Sequence, residues 1–188
     1  MTIVTKRLMG WAAFVASVLM IPVIAMQFTD EVKWSLSDFI IMGTLLLSIG
    51  ALYEVVGRRS KDTIYRISFG LGLLGAFLLL WVNGAVGIIG NEDQDANLLY
   101  GAVLGIGFIG ALISRFKARG MSITLWSAAA ATILVPILAF ILWPPPAISW
   151  SPGVVRVFML SGFFAMIFAT SAVLFRRSAE NENPTSKL

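Results

Sequence analysis

The sequence predicts an all-α polytopic membrane protein of six transmembrane helices arranged as three hairpins. Three observations predict it. Six continuous apolar runs recur at regular spacing, each close to the ~20 residues that cross a hydrocarbon core of about 30 Å. Hydrophobic residues make up 58% of the chain against 13% charged, with a mean hydropathy of +0.87, more apolar surface than a soluble domain can bury. The basic residues fall almost entirely on one side of the runs.

The runs cover residues 8–28, 36–56, 68–89, 98–113, 121–143 and 153–175. The fourth is the shortest and needs a thin local bilayer or help from its flanks. The runs do not alternate, so barrel strands are not expected. Residues 1–178 read as one six-helix domain, and 179–188 as a short polar cytoplasmic tail. The first run follows Lys6 and Arg7 as a signal peptide would. It is longer than the usual apolar core and lacks a small-residue cleavage site, so it is expected to be retained.

Orientation follows from Lys6, Arg7, Arg58, Arg59, Lys61, Arg66, Arg115, Lys117, Arg119, Arg176, Arg177 and Lys187, twelve of the 14 Lys and Arg, which share one side. Lys33 and Arg156 stand on the other. By the positive-inside rule both termini are cytoplasmic. The basic groups then act as juxtamembrane anchors near anionic headgroups. No basic soluble domain exists to carry nucleic-acid binding. Trp11 and Trp126 fall near inner helix ends, and Trp34, Trp143 and Trp150 near outer ends, as interfacial rings should. Trp81 alone falls inside a run.

Residues 11–60 align with 126–178. Each segment opens on Trp, has a mid-helix Pro (Pro22, Pro136), reaches Trp-Ser (Trp34-Ser35, Trp150-Ser151) and ends Arg-Arg-Ser. Ser35, with Asp38 three residues on, suits an N-cap. Ser151, before Pro152 at a first helical position, suits another. A parallel hairpin repeat is one reading. Easy alignment of apolar hairpins is the other.

The chain has no Cys and no His. This excludes His-ligated haem, Cys-ligated iron–sulfur clusters, His/Cys zinc sites, and Ser–His–Asp or Cys–His catalysis. No catalytic residue is assigned and no cofactor is expected, apart from a weak divalent cation that the outer acidic loop could hold.

Unusual residues concentrate in the middle hairpin. Asn83 lies within the outer part of the bilayer, where an amide needs a ligand, an ion or an interhelical hydrogen bond. Glu92, Asp93 and Asp95, with Asn91 and Asn97, give the outer loop oxygen ligands suited to a hard cation. Equally, they form a solvated turn in which Asp95 or Asn97 caps the fourth helix. Tyr100 completes the candidate ligand or partner surface. Gly84, Gly87, Gly101 and Gly105 read as close-packing positions between helices, with Gly70, Gly72 and Gly75 extending that surface. A dinucleotide fingerprint fails for want of a preceding strand. Glu54 can pair with Arg58 at i, i+4.

The segments Glu31-Val32-Lys33-Trp34-Ser35-Leu36-Ser37-Asp38-Phe39, 81–100, Arg115-Phe116 and Gly120-Met121 resemble a family of small uncharacterised bacterial inner-membrane proteins. They span helices two to four, about half the chain. The resemblance implies a bacterial cytoplasmic membrane location and carries over no activity.

The sequence therefore favours a non-enzymatic membrane protein: an accessory, sensor or partner-binding chain in lipid, in contact with a membrane protein partner or a second copy. A small channel or transporter with its mouth at Asn83 is the alternative, and a membrane enzyme the third.

Overall fold

The computed structural model describes residues 3–29 and 32–182. Glu31, Lys187 and the tail beyond 182 lie outside the described residues, as do the side chains of Lys6 and Arg59. Six α-helices are present, each long and apolar enough to cross a membrane (the fourth with a preceding 3₁₀ turn), and no strand occurs among the described residues. The protein is an integral membrane protein by this measure. Its contacts divide the chain into two compact units, Met1–Arg59 and Ser60–Leu188, where the sequence reading draws one domain.

The first unit pairs α1 (Ile3–Phe28) with α2 (Leu36–Val55), followed by a 3₁₀ turn at Gly57–Arg59. Asp38 reaches back to the N-terminus of α2, accepting from the Ser35 backbone N–H and Oγ, both at 2.7 Å. This is the capping-box arrangement. Gly50 brings α2 against the Trp11 ring, where a Cβ would sit 2.7 Å from ring carbons. Val15, Met42 and Leu46 are buried alongside. Helix α1 runs unbroken through Pro22.

The second unit contains α3 (Thr63–Ala85), a 3₁₀ turn (Asp95–Leu98), α4 (Leu99–Ile113), α5 (Ala118–Leu142) and α6 (Val154–Glu182). Helix α6 is the centre of the packing and lies against both α5 and α3. Helix α4 leans on α5, and α3 meets α4 only lightly. Gly72 and Gly75 let α6 come close: a Cβ on Gly75 would meet Ile167 and Phe168, and one on Gly72 would meet Ser171. Gly110 likewise fits under Thr124. Buried hydroxyls tie the helices together. Ser171 Oγ donates to the Ser68 carbonyl at 2.6 Å, and Ser122 Oγ to the Ala172 carbonyl at 2.8 Å. Such bonds suit helices in lipid, where burial of apolar surface gives little drive for association.

Helix ends explain several boundaries. Asp62 caps α3 by accepting from Ile64 N–H, and it also accepts from Ser178 Oγ on α6. Helix α4 stops in a Schellman turn, with Phe116 N–H on the Ala111 carbonyl and Arg115 N–H on that of Leu112. Arg115 and Phe116 there take φ of 49° and 59°.

Four sequence expectations change. Helix α3 ends at Ala85 and not at 89, because Gly87 and Gly90 adopt φ of +70° and +75°, which a helix cannot continue through. Gly87 is therefore a turn residue, not a helix-packing one. Gly84, Gly101 and Gly105 do not pack closely within the second unit either: among its described residues, a Cβ on any of them meets nothing within 4 Å. Finally, α6 begins at Val154, so Ser151 does not cap it, and it continues past Arg176-Arg177-Ser178. The 126–178 segment thus does not repeat the Ser35 cap or the break at Arg58-Arg59.

Candidate acidic-end cleft

Two loops meet at one end of the second unit. One joins α3 to α4 over residues 86–98, and the other joins α5 to α6 over residues 143–153. Gly90 N–H donates to the Ser151 carbonyl at 3.0 Å, and Gln94 Nε2 reaches the Ser149 carbonyl at 3.4 Å. This end carries Glu92, Asp93 and Asp95. The other end of the unit carries Lys61, Arg66, Arg115, Lys117, Arg119, Arg176 and Arg177.

The first loop folds around Asn97. Its Oδ1 accepts from Ile88 N–H at 3.1 Å and Ile89 N–H at 2.9 Å. Its Nδ2 donates to the Ile89 carbonyl at 3.0 Å and the Asn91 carbonyl at 2.6 Å. A non-helical segment needs such partners for its backbone when it is buried, and Ile88 and Ile89 are fully buried. Asn97 is therefore the knot of the loop, and neither it nor Asp95 caps α4, whose start has no side-chain cap. Asn83 Nδ2 donates to the Asn97 carbonyl at 3.1 Å. Its Oδ1 is the single buried side-chain nitrogen or oxygen among the described residues that lacks a partner. Tyr100 is buried and shares a 2.7 Å hydrogen bond with Ser161 Oγ on α6.

Above this knot lies an open cleft of about 240 Å³, lined by Asn91, Asp93, Gln94, Asp95, Ala96, Trp143 and Ile148. Of the residues singled out from sequence, the fold brings Asn91, Asp93 and Asp95 to this cleft. Glu92 is exposed beside it. Asn83, Asn97 and Tyr100 do not line it. The sequence reading takes Trp143 only as an interfacial ring and does not single out Gln94 or Ile148. The signal available for Trp143 was the Pro144-Pro145-Pro146 run that ends α5 and turns the chain back beside it.

The cleft pairs carboxylates with an apolar wall. Among the described residues no Lys or Arg forms an ion pair with Glu92, Asp93 or Asp95. No three acidic groups there come together as a metal-binding set. The arrangement can take a cationic group at its rim and an apolar stem against Trp143 and Ile148. Comparison with known proteins finds no matching family model, curated protein or solved structure.

Proposed function

We propose that this chain is a non-enzymatic membrane protein that holds a partner through the acidic-end cleft, by a Lys or Arg side chain of that partner or of a second copy. The observation that carries the reading is the pairing of Asp93 and Asp95 with Trp143 and Ile148 around one open cleft. A long basic side chain lays an apolar stem on such a wall and presents its charge to the rim. The buried hydroxyls of Ser122, Ser161 and Ser171 are committed to bonds between helices. That use favours a packed bundle over a conduction path.

We place the protein in a bacterial cytoplasmic membrane with both termini inside and the cleft outside. The split of basic residues supports the orientation, and the resemblance noted above supports the membrane.

The chain has no Cys, so Gln94→Cys installs a single thiol at the cleft. A thiol-to-amine crosslinker attached there should join a lysine of the partner or of a second copy in membranes. Adding Asp93→Asn with Asp95→Asn should cut that product several-fold. Equal yield with and without the two carboxylates would refute the reading. A calcium-dependent rise in melting temperature that the same double change abolishes would assign the cleft to a metal ion instead.

A further inference from the structure

The first unit carries a second charged cluster, distinct from the cleft and independent of its role. Glu54 is the penultimate residue of α2, whose 20 residues span about 30 Å and so place its last turn at headgroup depth. Three groups converge on its carboxylate. Arg58 Nε lies 3.0 Å from Oε2, an Arg7 terminal nitrogen lies 3.8 Å from Oε2, and Trp11 Nε1 donates to Oε1 at 3.2 Å. Gly50 makes this possible by letting the Trp11 ring lie on α2, with Tyr53 at its edge.

The carboxylate side chain is 23% exposed, while those of Arg7 and Arg58 are 47% and 38% exposed. The acid is held inside and the guanidinium groups reach outward. Two guanidinium groups around one carboxylate leave a net positive charge. Arg58 meets Glu54 through Nε, so its terminal NH₂ groups can serve a further acceptor. A guanidinium fork matches phosphate oxygens.

We propose that Arg7 and Arg58, positioned by Glu54, form a binding site for the phosphate of an anionic phospholipid headgroup. Glu54 is a positioning residue: it draws Arg7 of α1 and Arg58 of the turn after α2 to one place at the membrane surface. The apolar span below supplies a bed for the acyl chains.

The test uses native mass spectrometry of the purified full chain titrated with phosphatidylglycerol, phosphatidylcholine or inorganic phosphate, with helix content checked by circular dichroism. Phosphatidylglycerol should be retained several-fold better than phosphatidylcholine, and inorganic phosphate should not compete. Arg58→Ala should lower retention several-fold, whereas Lys117→Ala, which removes the same charge from the second unit, should not. Glu54→Gln separates positioning from net charge, because it makes the site more positive. Retention should nevertheless fall. A rise with Glu54→Gln, an equal loss with Lys117→Ala, no preference for phosphatidylglycerol, or competition by free phosphate would each overturn the proposal. If Glu54→Gln does not fold, the comparison of Arg58→Ala with Lys117→Ala still decides it.

Discussion

At the scale of single residues, Asn97 shows how one amide substitutes for secondary structure. Its side chain makes four hydrogen bonds to the backbone of residues 88, 89 and 91. Asn97→Ala leaves the buried amides of Ile88 and Ile89 without acceptors, and each such group costs about 1–3 kcal/mol. We expect a loss of about 2–4 kcal/mol in detergent unfolding, with hydrogen exchange at Ile88 and Ile89 accelerated ahead of α3 and α4. Unchanged exchange there would mean the knot is dispensable. The sequence marks Asn97 as polar and places it with the acids. It does not reveal which way the amide turns, because that depends on the chain reversal at Gly87 and Gly90. The hydrogen-bond alternative for Asn83 is legible in the sequence, but its partner, like that of Tyr100, is not. A polar group in an apolar run signals a partner, and the nearest partners here are the Asn97 carbonyl and Ser161.

At the scale of elements, apolar runs locate all six helices, because crossing length and hydropathy are properties of the chain itself. Their ends are less readable. Residues 86–89 are as apolar as a helix, and only the left-handed glycines beyond Ala85 stop it. Glycine spacing also fails to show which face meets a neighbour. Gly101 and Gly105 share a face as expected, yet a Cβ at either meets nothing within 4 Å among the described residues of the second unit. Gly72 and Gly75 take that role on α3. Gly75→Leu should push α6 away and cost about 2 kcal/mol or more, as overpacking does. Gly101→Leu with Gly105→Leu should change thermal stability of the monomer in detergent little. A larger loss from the α4 pair than from Gly75→Leu would contradict this assignment. A loss confined to an oligomer would make the α4 face a surface between copies.

At the scale of the whole molecule, membrane residence follows from composition, and the sidedness proposed above rests on charge. Reporter fusions after Lys117 should signal cytoplasm and fusions within the Glu92–Asp95 turn should signal the outside; the reverse pattern would invert the orientation. The division into two units could not be read from the chain, since the break at residues 59–60 carries no linker composition, only a basic turn like the others. Nor could the cleft, which needs two loops whose residues lie 55 positions apart (Gln94 and Ser149) to be brought together by α4 and α5. The position of α6 also bears on how the protein is made. The Ser171–Ser68 bond joins residues 103 apart in sequence. At ~5–20 residues per second, synthesis separates the two by roughly 5–20 s. Throughout that interval α3 stands in the membrane with its glycine groove and Ser68 carbonyl facing lipid, or whatever else will occupy them. Helix α6 is therefore a keystone: chains released before it is made expose a groove shaped for it, and quality control in the membrane would have that surface to grip.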